Sequence, residues 1–258
     1  LGLTFQELGQ LDAAVKCYQK AIAIKPDYAE AHNNLGVTFK ELGQLDAAVK
    51  CYEKAIAIKP DYAEAHSNLG NAFKAFGQLD EAVKCFENAL AIKPDYAEAH
   101  NNLGATLKDL GQLYDAIKSY EKAIAIKPDY VEAINNLGIT FYQLHQLDAA
   151  MKCYEKALVF NPNFADAYNN IGTVLLERGQ LDEAVKSYKA ALKFEPDFVD
   201  AYNNLGVAFL GLRQLDESVK SYRATLKLEP DFAEAHNNLG ITLIELGRLE
   251  EAEESYRK

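Results

Sequence analysis

No apolar run in these 258 residues approaches the roughly 20 needed to cross a bilayer, so a membrane span is not expected. Positive charge is in deficit as well. The formal net charge of −11 leaves no general basic face for phosphates, which argues against a nucleic-acid partner. Cysteine is sparse: Cys17, Cys51, Cys85 and Cys153, with no C-x-x-C pair to hold zinc. Nucleotide and hydrolase signatures are missing too. The chain has no G-x-x-x-x-G-K-[ST], no G-x-S-x-G and no H-E-x-x-H. Neither cofactor nor metal is expected, and any catalytic domain would lie outside this chain. No signal-peptide pattern opens it.

Proline is also scarce, and its placement is the strongest signal present. The seven prolines are Pro26, Pro60, Pro94, Pro128, Pro162, Pro196 and Pro230, each 34 residues from the next. A period of that size means stacked supersecondary units. The chain is therefore expected to be one elongated domain over 1–258, of about seven and a half repeats, truncated at 1–28 and 233–258. Because it starts and stops inside repeats, it is expected to be a piece of something longer. The cysteines share one repeat position, and equivalent atoms in neighbouring repeats stand about one helix diameter apart, near 10 Å. Disulfides need Cα atoms closer than about 7 Å. Free thiols follow, and with them a reducing compartment such as the cytoplasm.

The unit Ala29 to Tyr62, counted as positions one to 34, reads as two helices. Ala31, Leu35, Phe39 and Leu42 recur at helical spacing in helix A, and Gly43 ends it through a left-handed cap. Leu45, Ala48, Val49, Tyr52, Ala55 and Ile56 form the apolar stripe of helix B, which Pro60 stops. Asp61 with Glu64, Asp95 with Glu98, and Asn163 with Asp166 have the spacing of a capping box. Gly36 and its equivalents, with Ala48 and Ala55 and theirs, are small where two helices approach closely. Tyr52, Phe86, Tyr120 and Tyr154 fill between them.

Small-Leu-Gly on helix A, Ala and aromatic on helix B, then proline, is similar to the tetratricopeptide repeat across the whole chain. The resemblance implies an all-α, right-handed superhelical solenoid with helix A on the concave surface. The chain departs from the family pattern at position four, which is His32, His66, His100, Ile134, Tyr168, Tyr202 and His236. One repeat apart, these histidines cannot share an ion, so packing roles are expected. His145 and Arg213 replace the helix-ending glycine, where strained turns are expected. The carboxylate clamp of chaperone-binding relatives, lysine at positions two and five, is absent.

Position six is asparagine in every copy that includes it: Asn34, Asn68, Asn102, Asn136, Asn170, Asn204 and Asn238. Asparagine is a mediocre helix former, so its recurrence asks for a reason. Its amide offers a donor and an acceptor, matching the C=O and N–H of an extended peptide. Repeats step about 10 Å and extended chain about 3.3–3.6 Å per residue, so each asparagine would meet roughly every third peptide residue. Bonding between helices explains the same recurrence, and both readings stand. The ladder resembles that of the tetratricopeptide superhelix of O-linked N-acetylglucosamine transferases and the plant relative SPINDLY. That resemblance implies that these asparagines grip a substrate backbone.

Position twelve changes character along the chain, from Lys40, Lys74 and Lys108 to Tyr142, Leu176, Leu210 and Ile244. These residues are candidates for groove selectivity, the lysines alternatively pairing with Glu41 or Asp109 in solvent and the apolar ones packing between repeats. Three functions are expected to compete. The first is a protein-interaction module holding an extended peptide in its groove. The second is the substrate-recognition region of a larger O-GlcNAc-transferase-like glycosyltransferase. The third is a scaffold that self-associates through uncapped ends.

Overall fold

The computed structural model describes residues 1–257, and among them every regular element is a helix. The helices alternate in two lengths. Each full A helix has 13 residues, as in α3 (Ala29–Glu41), and each full B helix has 14, as in α4 (Leu45–Ile58). The chain divides into two compact units, Leu1–Ala133 and Ile134–Lys258.

In the first unit α3 packs on α4. The next pairs are α5 (Ala63–Ala75) with α6 (Leu79–Ile92) and α7 (Ala97–Asp109) with α8 (Leu113–Ile126). The B helices α4 and α6 also pack on the A helices that follow them, α5 and α7, and A helices touch one another, α3 to α5 and α5 to α7. The second unit repeats this scheme. There α11 (Ala165–Glu177) packs with α12 (Leu181–Phe194), α13 (Val199–Gly211) with α14 (Leu215–Leu228), and α15 (Ala233–Glu245) with α16 (Leu249–Tyr256). Again A meets A, α11 to α13 and α13 to α15.

The core is a series of aromatic rings laid against glycine. Tyr52, Phe86, Tyr120, Tyr188 and Tyr222 are fully buried. A Cβ added at Gly36 would stand 2.6 Å from Tyr52 Cε1, so only glycine lets α3 come so close to α4. Ala48, Ala82, Ala116 and their equivalents are the small partners, also fully buried.

Helix A ends as expected. Gly43 has φ 73°, its N–H donates to the Lys40 carbonyl at 2.9 Å, and Gln44 N–H donates to the Phe39 carbonyl at 2.8 Å. This is the Schellman arrangement. His145 (φ 55°) and Arg213 (φ 61°) hold the same left-handed conformation without being glycine, so the strain expected there is present.

The capping boxes do not form. The N-cap of α5 is Tyr62 rather than Asp61, and it carries no side-chain cap bond; α7 and α11 behave alike at Tyr96 and Phe164. The reason is the turn ahead of the helix. Tyr62 N–H donates to the Lys59 carbonyl at 3.2 Å across Pro60 and Asp61, which places Asp61 inside a β-turn, one residue too early. Glu64 reaches forward to Lys93 Nζ at 3.5 Å instead.

Candidate functional site

Position four ties the turn to helix A. His32, His66, His100 and His236 each bond through Nε2 to the carbonyl of the proline six residues back, at 2.8 to 3.0 Å. Tyr168 donates its hydroxyl to Pro162 in the same way, at 3.2 Å. Burial lowers the proton affinity of His100. The Pro94 carbonyl opposes that shift and the Lys122 charge adds to it, so the ring is neutral near neutral pH. The histidines thus have the packing role expected of them.

The asparagines of positions five and six divide the work between repeats. At position five Asn33, Asn101, Asn135, Asn169 and Asn203 are buried, and Asn237 is exposed. Position six is half-buried in all seven copies. Asn68 Nδ2 donates to Asn33 Oδ1 of the preceding repeat at 3.0 Å, Asn170 to Asn135 at 3.0 Å, and Asn204 to Asn169 at 3.1 Å. Each bond satisfies a carbonyl removed from water and locks two neighbouring A helices in register. In the first unit Tyr62 also hydrogen-bonds Asn33, and Tyr130 hydrogen-bonds Asn101. Phe164, Phe198 and Phe232 take the tyrosine place in the second unit and lack the hydroxyl. The last rung differs. Asn203 Nδ2 donates to Glu234 Oε1 at 3.2 Å, and its Oδ1 is buried with no partner.

Position six stands out in the sequence, whereas position five, the structural hub, does not. The signal was present in the Asn-Asn doublets, but two adjacent asparagines look alike until the neighbouring helix buries one of them.

Position twelve takes several roles. Lys74 pairs with Asp109 of the next repeat at 3.0 Å, and Tyr142 hydrogen-bonds Glu177. His145 Nδ1 stands 3.5 Å from that same Glu177, and Arg213 pairs with Glu245 at 2.5 Å. Gln6, in α1 (Gly2–Glu7), donates to Glu41 at 2.9 Å. The accepting acids are therefore Glu41, Asp109, Glu177 and Glu245, one in every second repeat, a period of 68 residues. Lys40 and Lys108 make no ion pair among the described residues. Leu176 packs against the core of α12 and α13, Leu210 is half-buried, and Ile244 is exposed. At position nine Val207 packs into the next repeat, while Ile241 is exposed.

The two units differ in charge at the turn before helix A. Lys59 and Lys93 lie over the rings of Tyr62 and Tyr96, at 4.8 and 4.7 Å, and pair with Glu30 and Glu64. The corresponding residues of the second unit are Asn161, Glu195 and Glu229. There burial raises the carboxyls of Asp166 and Glu195, with Asp200 adding for the first and Asp166 and Asp197 for the second.

Cys17, Cys51 and Cys85 are free thiols. Burial pushes the thiols of Cys51 and Cys85 up to about 11. No helix among the described residues is long and apolar enough to cross a membrane.

Repeating helix pairs with Gly-aromatic contacts and Pro turns define a helical-repeat protein of interaction-scaffold type. The model of the Cilia and flagella-associated protein 70 C-terminal domain, a tetratricopeptide-repeat family, matches residues 62–258, and the TPR repeat model matches residues 2–43 and 38–77. The chain belongs to this tetratricopeptide-repeat family. No curated protein matches it.

Among solved structures, MamA is 30% identical, with a TM-score of 0.56, and the match covers 64% of this chain and 97% of that one. The Cut9-Hcn1 structure of APC/C is similar in fold, with a TM-score of 0.79 at 16% identity over 94% of this chain. The chain spans about half of that relative, 48%. YrrB, described as a TPR protein with an unusual peptide-binding site, is 23% identical with a TM-score of 0.56, over 72% of this chain and 96% of that one.

Proposed function

We propose that this chain is a protein-interaction module that holds an extended segment of a partner along its A helices, with the position-six asparagines gripping the backbone. The carrying observation is the half-burial of those seven side chains together with the bond that Asn68, Asn170 and Asn204 make to the preceding repeat. The rung uses one N–H of Nδ2. The second N–H and Oδ1 of Asn68, Asn170 and Asn204 would pair with a peptide C=O and N–H, while at Asn34 and Asn102 Oδ1 already accepts from Nδ2 of Asn33 and Asn101, at 3.4 and 3.5 Å, and keeps one lone pair. Asn34, Asn68 and Asn102 would serve the first unit, and Asn136, Asn170, Asn204 and Asn238 the second. Lys40 and Lys108 would favour acidic side chains there, and Leu210 and Ile244 apolar ones. That YrrB is described as having a peptide-binding site supports the reading by analogy of fold. The fold is in general a non-catalytic scaffold, and no catalytic role is assigned to this chain.

Asn238 gives the cleanest test, because its side chain carries no rung among the described residues. A peptide library is screened against the wild type, against Asn238→Ala, and against Asn34→Ala with Asn68→Ala, folding being checked by circular dichroism. Loss of peptides by folded variants is the expected result. Full retention by all of them would make the asparagines purely structural.

Two other readings have a specific feature behind them. A substrate-recognition region of an O-GlcNAc-transferase-like glycosyltransferase would use the same ladder, and the full reading frame separates the two. Self-association would use the exposed Leu1, Leu3 and Ile24, or Ile241 and Ile244. A molecular mass independent of concentration in light scattering would rule it out.

A further inference from the structure

A second cavity lies apart from the ladder. Between α6 and α8 a cleft of about 580 Å³ has Leu90, Leu103 and Ile126 among its walls, with His100 and Ser119 beside them. No position-six asparagine lines it. The second unit has an equivalent cleft of about 280 Å³, lined by Leu226, His236, Leu239 and Ser255 among others. These residues are the counterparts of Leu90, His100, Leu103 and Ser119, each 136 residues on, or four repeats.

The cause is visible in the sequence. These two repeats combine histidine at position four with serine at position twenty-three, and no other repeat does. Elsewhere histidine meets Cys51 or Cys85, or serine meets Tyr168 or Tyr202. The His100 ring is held to the Pro94 carbonyl at 2.9 Å, and Ser119 Oγ turns back to the Asp115 carbonyl at 3.0 Å, so neither fills the gap. Where Tyr168 replaces the histidine, its ring stacks on Phe194 at 5.7 Å between centroids. Phe194 stands at the repeat position of Ile126, so that stack occupies the space left open here.

The volume falls within the range of small-molecule sites, roughly 300–1,000 Å³. Two charges in the wall are uncompensated. Lys118 is neutralised by Asp115 at 2.9 Å, but Lys122 on α8 and Glu87 on α6 make no ion pair among the described residues. A cation on one wall, an anion on the other and apolar side chains between them match a molecule with the reverse pattern. We propose that the α6–α8 cleft takes a short apolar zwitterion, a hydrophobic dipeptide, with its carboxylate at Lys122 and its ammonium at Glu87.

The test uses the full chain with leucyl-leucine, its N-acetyl form and its C-terminal amide as probes. Binding is read from NMR shifts of the Ala91, Ala125 and Ile126 methyls. The free dipeptide is expected to move these signals, and each blocked form to bind roughly threefold more weakly, the effect of one exposed charge pair. Lys122→Gln removes the difference between acid and amide only, and Glu87→Gln the difference between amine and acetyl only. Ala125→Trp, at an exposed position that leaves the fold intact, fills the cleft and abolishes binding. Absent shifts at millimolar dipeptide, equal binding of the blocked forms, or unchanged binding in Ala125→Trp would each overturn the proposal. So would shifts confined to the Asn68 and Asn102 side of the A helices.

Discussion

Removing a ladder asparagine perturbs the neighbouring repeat before it perturbs any ligand. Asn204 Nδ2 donates to Asn169 Oδ1 at 3.1 Å, and Asn169 is only 9% exposed. Asn204→Ala leaves that carbonyl buried without a donor, which costs about 1–3 kcal/mol. Asn238→Ala changes the same repeat position without this penalty. Asn203 already turns Nδ2 to Glu234, and its Oδ1 is already unpartnered, so the cost is within about 0.5 kcal/mol. Urea unfolding followed by far-UV circular dichroism measures both variants. Hydrogen exchange in α11 and α13 locates the loss, since repeat arrays open locally. The variant Asn169→Ala with Asn204→Ala removes both partners, and its cost falls below the sum of the single costs by about 1 kcal/mol. Equal costs for Asn204→Ala and Asn238→Ala, or strict additivity in the double variant, would refute the reasoning.

Further outcomes follow from the packing, the turns and the thiols. Gly172→Ala places a Cβ 2.6 Å from Tyr188 Cε1; overpacking of about 1–3 kcal/mol outweighs the helix-propensity gain of about 1 kcal/mol, so the midpoint of thermal unfolding falls. A rise would show that the ring moves aside freely. His145→Gly relieves a left-handed residue at φ 55° and loses only an exposed contact to Glu177, so unfolding shows a gain of about 1 kcal/mol. Arg213→Gly gains less, because its pair with Glu245 is lost as well. Cys51 and Cys85, raised from 9.0 to about 11, carry about a hundredfold less thiolate near pH 8, and alkylation of the native chain is slower than of the unfolded chain by that order. Their raised values mean that the folded state holds the proton more tightly. The associated stability is intact below pH 9 and is lost as pH rises through about 11, a window that Tyr96, raised to about 12, extends upward. A thermal midpoint that stays flat through that range would contradict the burial assigned to these groups.

The helices, their ends and the Gly-aromatic core were legible from residue order because every copy repeats the same local constraint. Gly36 and Tyr52 recur together, and Pro60 recurs where a helix must stop. The misread elements are those decided by a single residue of register or by a neighbouring helix. Asp61 has the spacing of a cap, yet the Tyr62 to Lys59 bond closes a turn that places it one residue outside the helix. Asp109 was open to the sequence as a partner of a position-twelve lysine, and Lys74 takes it, but Glu177 and Glu245 look like ordinary surface charge until Tyr142 or Arg213 is presented to them.

Residue order alone determined the repeat, the helix pair and the small-large alternation that packs it, because each depends on contacts within about one period. Tertiary structure decided which asparagine of each doublet before Asn237 is buried and which stays half-open. It also decided that His100 and Ser119 leave a cleft where Tyr168 and Phe194 close one. Those outcomes depend on side chains 30 or more residues away or on the opposite helix of the pair, as the 35-residue separation of Asn68 and Asn33 shows, and no local pattern encodes the distance between them.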